Sequence, residues 1–237
     1  MTIVRIAERL RENVARLRFA DPIAYVYNPL AYAWEPHRQY LERYGEARRE
    51  ILLVGMNPGP WGMAQTSVPF GDVEMVKGWL EIEGIVEQPP SPHPSRPVDG
   101  FACSRHEVSG QRLWGWARET FATPHQFFAR FFVVNYCPLC FFDTSGRNYT
   151  PDKLRADNRG PLFETCDNAL RQTAQHHEPR YVIGIGRFAQ QRAEAALQGM
   201  NMQIASLPHP SPANPIANRD WKTQAAQALR RLGIAIP

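Results

Sequence analysis

Four short apolar runs mark out the chain, at residues 51–54, 130–135, 181–185 and 202–207. Each has the length of a buried strand and is too short for a core helix. Between them, apolar residues return every three or four positions. Residues 2–19 place Ile3, Ile6, Leu10, Val14 and Leu17 on one stripe with arginines and glutamates opposite, and Asp21-Pro22 ends it. Further helices are predicted over residues 37–49, 72–80 (with Asp72 as its cap), 108–121, 152–175, 186–197 and 218–232. Residues 88–97 are thick with proline and read as a loop. The aromatic segment Tyr25, Tyr27, Tyr32, Trp34 and Tyr40 reads as packing for the N-terminal helices, with base stacking as the functional alternative. Strands alternating with helices predict an α/β fold, a three-layer α/β/α sandwich around a central, largely parallel four-stranded sheet.

No Gly/Ser-rich or charged linker divides the 237 residues, so one domain is expected over 1–237, with residues 1–49 as an N-terminal helical segment packed on it. No apolar run approaches the roughly 18 residues of a membrane span. The N-terminus alternates charge with apolar groups, unlike a signal peptide. The expectation is an intracellular monomer: in the cytoplasm or nucleoid of a bacterium, or the nucleus of a eukaryote. The formal charge is +4. Lysine occurs only at Lys77, Lys153 and Lys222, so arginine carries most of the positive charge. That balance suits a polyanionic partner and equally an ordinary basic surface. Among Cys103, Cys137, Cys140 and Cys166, only Cys137-Pro138-Leu139-Cys140 has the spacing of a redox pair or half a metal site. The other two stand singly, so structural thiols are expected.

The strand ends carry the candidate chemistry. The first strand runs into Gly55-Met56-Asn57-Pro58-Gly59-Pro60, the second ends at Asn135, and the fourth leads into Pro208-His209-Pro210. Parallel strands would bring Asn57, Asn135 and His209 to one edge, where open α/β sheets bind ligands. Singly, each asparagine reads as a turn former; together, in proline-stiffened loops, the three point to a site. An amide cannot act as a general base, but it can orient water or read the polar edge of a base. Histidine can donate to a developing anion or move a proton. No G-x-S-x-G, Walker A or H-E-x-x-H motif is present. Gly184-Ile185-Gly186 lacks the third glycine of a dinucleotide fingerprint. The set suits hydrolysis with a reasonably good leaving group.

Residues 55–66 with Val68-Pro69-Phe70-Gly71, and His209-Pro210-Ser211-Pro212 with Asn214-Pro215, resemble the two signature motifs of the single-strand-selective monofunctional uracil-DNA glycosylases, a branch of the uracil-DNA glycosylase superfamily. Glu107-Val108-Ser109-Gly110, Asn135 with Cys137-Pro138-Leu139, Ser145-Gly146-Arg147-Asn148 and residues 184–187 match in family order. The resemblance implies an enzyme that hydrolyses the N-glycosidic bond of uracil in single- and double-stranded DNA, leaving an abasic site. It extends to 5-hydroxymethyluracil and requires no metal or organic cofactor. It gives Asn57 the attacking water and His209 the uracil anion. It sets Phe70 under the base, Asn135 on the polar edge, the Met56 backbone on the pocket wall and Gly59 near C5. Ser145, Gly146, Arg147, Asn148, Ser211, Pro212, Ala213 and Asn214 would face DNA containing uracil or an oxidised pyrimidine. One position departs: family members carry an arginine associated with wedging into the stack where this chain has Ala213, and Arg147 and Arg219 are the candidates to replace it. Neither motif contains lysine, in keeping with a monofunctional enzyme. The rival readings are a non-catalytic nucleic-acid binder, which needs neither Asn57 nor His209, and a thiol redox or iron–sulfur protein using Cys137 and Cys140.

Overall fold

The computed structural model describes residues 1–214 and 217–237, including every side chain among them except those of Ala217 and Arg219. In chain order its elements are α1 (Ile3–Ala15), β1 (Tyr25–Tyr27), α2 (Pro29–Tyr32), α3 (Trp34–Tyr44), β2 (Ile51–Gly55), α4 (Met63–Thr66), α5 (Val73–Gly78), α6 (Val108–Phe121) and α7 (Pro124–Phe128). They continue with β3 (Phe131–Asn135), β4 (Cys140–Phe142), β5 (Asn148–Tyr149), α8 (Ala156–His177), β6 (Tyr181–Ile185), α9 (Arg187–Ala196), β7 (Gln203–Leu207) and α10 (Ala217–Arg231).

The four apolar runs are the four strands of one parallel sheet, in the order β3-β2-β6-β7. Every residue of β2 and β6 is buried, as befits central strands covered on both faces. Alternation along β3 shows the two layers directly. Phe131 meets the rings of Trp116 and Phe127 from α6 and α7, whereas Phe132 meets Tyr40 of α3 and His177 of α8. The register is level: Ile51 pairs with both Phe131 and Tyr181, and Gly55 pairs with Asn135. Level strands end together, and this puts the loops after β2, β3 and β7 on one edge.

A second, antiparallel sheet, β1-β4-β5, has no counterpart in the sequence expectations. Its strands are two or three residues long, too short for alternation to register. Its β4–β5 connection holds Ser145-Gly146-Arg147, and Asp143 Oδ1 accepts from Ser145 N, Ser145 Oγ and Arg147 N at 2.8, 2.7 and 3.0 Å.

Several boundaries differ from expectation. Helix α1 stops at Ala15 rather than residue 19. Helix α3 begins at Trp34 and ends at Tyr44, not 37–49. Pro36 lies in its first turn, where a missing N–H breaks no helical bond. Helix α8 starts at Ala156, after a 3₁₀ turn over Pro151–Lys153. Helix α7 was not predicted; Thr123 caps it and Pro124 opens it. Helix α10 is interrupted at Asp220, whose φ is −169°. Among the described residues, no helix is long and apolar enough to cross a membrane.

Candidate active site

The loop after β2 is held over the sheet edge by close contacts that glycine permits. A Cβ on Gly55 would lie 2.2 Å from Asn135 Oδ1 and 2.6 Å from Phe70 Cε2, so the bare strand end lets both groups cross it. Phe70 has a φ of 55°, a strained value for an aromatic residue. The strain is countered locally. Asp72 N donates to Phe70 O at 2.8 Å, Trp114 Nε1 donates to Pro69 O at 3.2 Å, and Gly110 of α6 comes so close that a Cβ there would sit 2.0 Å from Phe70 O. The ring is thereby fixed beside the cavity.

Asn57 is oriented by its donor end. Its Nδ2 donates to Leu139 O at 3.1 Å and, at 3.4 Å, to Pro58 O. That leaves Oδ1 as the atom able to accept from a water. The Cys137-Pro138-Leu139-Cys140 turn is the base plate for this arrangement: Cys140 Sγ donates to Pro58 O at 3.4 Å, and the Leu139 carbonyl holds Asn57. All four cysteines are free and buried, and burial pushes the Cys140 thiol well above its usual range.

Asn135, at the end of β3, has the opposite condition. Its Nδ2 reaches only Met63 Sδ, at 3.2 Å, a weak acceptor, and its buried Oδ1 has no partner among the described residues. A buried amide left unsatisfied is unfavourable by roughly 1–3 kcal/mol unless something binds it.

His209 is held from both sides. Its Nδ1 accepts from Ser211 N at 3.1 Å, and Asn214 Nδ2 donates to its carbonyl at 3.0 Å. Burial lowers its pKa, so the ring is neutral near pH 7 and carries its proton on Nε2. Gly186, at a φ of +89°, lies against it: a Cβ there would be 3.3 Å from His209 Cβ. Arg112 of α6 braces the same loop through Pro210 O (2.7 Å) and Asn218 Oδ1 (2.9 Å).

One cavity of about 340 Å³ gathers these groups. Of the residues expected in the site, Met56, Asn57, Gly59, Phe70, Asn135, Asn148, His209 and Ser211 line it, joined by Pro58, Pro60, Met63, Glu107, Ser109 and Thr150. Ser145, Gly146, Arg147, Pro212, Ala213 and Asn214 are not on its wall. Ser145, Arg147, Pro212 and Ala213 are exposed on the two adjoining loops. Gly146 is buried: a Cβ there would lie 2.8 Å from His93 Cε1. Pro215 and the side chain of Arg219 lie outside the described residues.

Glu107 was not expected in the site beyond its place in a matching motif. Its Oε2 sits 2.2 Å from where a Cβ of Gly59 would be, so the space left by that glycine belongs to a carboxyl group. Its Oε1 accepts from Ser109 N at 3.4 Å, and burial raises its pKa. Only the long-range contact with Gly59 and Gly62 marks it, and no local pattern carries that. Asp72, Glu74 and His106 bring possible ligand atoms within 4.8 Å of one another, but none lines the cavity and Asp72 already accepts from Met75 N and Glu107 N.

The geometry defines a class: a pocket at the carboxyl edge of a parallel sheet, with an aromatic ring on its wall, an amide unsatisfied at its back and a neutral imidazole at its side, suited to a flat polar heterocycle. A family model described as the uracil DNA glycosylase superfamily matches residues 42–230. The single-strand selective monofunctional uracil-DNA glycosylase of Rattus norvegicus is 49% identical over 228 residues, covering 95% of this chain and 82% of that protein. Its counterparts in Mus musculus and Bos taurus are 47% and 46% identical over the same share of this chain. The crystal structure of wild-type Pedobacter heparinus SMUG2 aligns with a TM-score of 0.69 at 16% identity, over 96% of this chain and 97% of that one, a likeness of fold. The chain belongs to the uracil-DNA glycosylase superfamily and, within it, to the single-strand-selective monofunctional branch.

Proposed function

We infer that the protein is a monofunctional DNA repair glycosylase that releases uracil from DNA, with selectivity for single strands. The observation that carries this reading is the unsatisfied amide of Asn135, set in one cavity with Asn57, Phe70 and His209. Uracil presents an N3–H donor beside an O4 acceptor. Asn135 Oδ1 accepts the first and its Nδ2 donates to the second. Cytosine presents the reverse pattern and would leave both partners unpaired in a dry pocket.

The target nucleotide is supplied by a single strand or flipped from a duplex at a few kcal/mol of unstacking. Phe70 stacks on the base. The C1′–N1 bond breaks with both electrons going to uracil, and the His209 Nε2–H donates to the charge gathering on O2. Asn57 Oδ1 holds a water against C1′. Its oxygen bonds to the sugar cation and its proton passes to solvent, because an amide does not take it. The products are uracil and an abasic site. Glu107 beside Gly59 offers a hydrogen-bond partner to a hydroxyl carried on C5, so 5-hydroxymethyluracil belongs with the substrates.

The test is alkali cleavage of a uracil-containing single-stranded oligonucleotide after incubation with the protein. Strand scission at uracil, and none at cytosine, supports the reading; an intact uracil strand overturns it. The same assay with 5-hydroxymethyluracil tests the wider substrate range.

A further inference from the structure

A second feature borders the cavity without entering it. Trp61 follows Pro60 of the cavity wall. Two guanidinium groups lie over its indole: Arg105 with Cζ 4.2 Å from the ring centroid, and Arg96 at 5.6 Å. The three come from separate segments, and each is anchored next to the cavity. Arg105 precedes Glu107 by two positions. Arg96 Nε donates to Gly146 O at 2.9 Å, two residues before Asn148. Glu107, Asn148 and Pro60 all line the cavity. The cluster therefore sits at the lip, between the loop after β2 and the β4–β5 connection.

Neither arginine is engaged in the way surface arginines usually are. No ion pair among the described residues includes Arg96 or Arg105. Arg105 is exposed, and its side chain makes no hydrogen bond among the described residues. A guanidinium stacked on an indole uses its face, and its N–H edge matches the oxygens of a phosphate; Arg105 keeps that whole edge, whereas Arg96 gives Nε to Gly146 O and Nη1 to Ser95 O (3.3 Å) and keeps Nη2, which makes no hydrogen bond among the described residues. Ordering by the ring also lowers the entropy lost when the arginine binds.

We propose that Trp61, Arg96 and Arg105 form a docking surface for the single DNA strand flanking the target nucleotide, the two arginines taking backbone phosphates and the indole holding them in place. The proposal rests on the glycosylase reading for its ligand; Arg96 and Arg105 lie outside both signature motifs, and Trp61 lies within the first. It gives the strand a grip beside Pro60 and Glu107 of the cavity wall, in a chain that has Ala213 where the family resemblance implies a wedging arginine. A grip of phosphates without a wedge favours strands that are already open.

The test measures binding of a single-stranded uracil oligonucleotide by fluorescence anisotropy across a range of salt, in an Asn57→Ala background that prevents turnover. Each phosphate contact on a single strand contributes about 0.7 to the slope of log K against log salt. Arg105→Ala should reduce the slope by about 0.7, and Arg105→Ala with Arg96→Gln by about 1.4. Trp61→Ala should weaken binding roughly tenfold at fixed salt with the slope retained, since the charges remain. In the otherwise native enzyme, Arg105→Ala should raise KM and leave kcat unchanged. Because the Arg105 side chain holds no other group in place, Arg105→Ala stays decisive even if the Arg96 variant disturbs the loop at Gly146. Unchanged slopes in Arg105→Ala and in the double variant would overturn the docking surface. Absence of uracil release by the native protein would instead overturn the glycosylase reading, and the slopes would still report on the surface.

Discussion

Replacing His209 by alanine removes one donor from the departing base and nothing from the ground-state grip of Phe70 and Asn135. The ring is neutral, with Nδ1 occupied by the Ser211 N–H and Nε2–H free to donate. A single preorganised donor to a developing anion is worth about 10²–10³ in rate, or roughly 2.7–4 kcal/mol. The expectation is therefore a fall of that size in the single-turnover rate of uracil release, with KM close to that of the parent. The pH profile adds a second reading. Burial holds the His209 pKa below its ordinary value, so the neutral ring persists to lower pH than a free imidazole would. Any loss of rate from protonating this ring should set in below pH 6.5. Protonating Nδ1 would also displace the Ser211 N–H that sets the ring's direction. A rate that climbs as pH falls through 6.5 would identify imidazolium as the working form and refute the neutral-donor reasoning. A His209→Ala loss below tenfold would refute the assignment of the donor itself.

Three further outcomes follow from the same contacts. Gly55→Ala forces a Cβ into space held by Asn135 Oδ1 and Phe70, at 2.2 and 2.6 Å, so uracil release should drop by about 10² or more while thermal stability falls by about 1–3 kcal/mol; full activity in a folded variant would contradict the close packing at the strand end. His37 and His177 are buried and neutral, with pKa values lowered from 6.5 to about 4, whereas the unfolded chain protonates both near 6.5. Stability is thus complete above pH 6.5 and declines as pH falls toward 4, by about 3 kcal/mol for each ring; urea midpoints that do not move between pH 7 and 4.5 would rule this out. Ala213→Arg places a long cation on an exposed loop beside the cavity and should raise the ratio of duplex to single-strand activity; an unchanged ratio would count against a wedge at that position.

The parallel sheet was legible because β2 and β6 are fully buried runs and β3 is buried over its first three residues, so burial wrote itself into composition. The candidate site was legible in part for the same reason: Asn57, Asn135 and His209 follow strand ends, and a level register brings strand ends together. What escaped was whatever depends on contacts between distant segments. The β1-β4-β5 sheet pairs strands of two or three residues, and β1 finds its partner over 100 positions away, as with Tyr25 and Phe142. Glu107 reads locally as the lead into α6 and becomes part of the cavity only because Gly59 and Gly62 leave room for its carboxyl. Gly59 itself was read as lying near C5 of the base, and the structure sets the Glu107 carboxyl against it. The Cys137 and Cys140 spacing left redox or metal chemistry as a rival, while structural thiols were expected, and all four cysteines are free and buried. The fold uses the segment as a support, with Leu139 O holding Asn57 and the Cys140 thiol holding Pro58.

The central claim is that two amides and an imidazole converge on one pyrimidine. A crystal structure of the Asn57→Ala protein bound to single-stranded DNA containing uracil tests it most directly. The account predicts the base flat against Phe70, its N3 within hydrogen-bonding distance of the now-unpartnered Asn135 Oδ1 and its O2 facing His209 Nε2. Uracil bound elsewhere, or seated with Asn135 Oδ1 still unpaired, would contradict it.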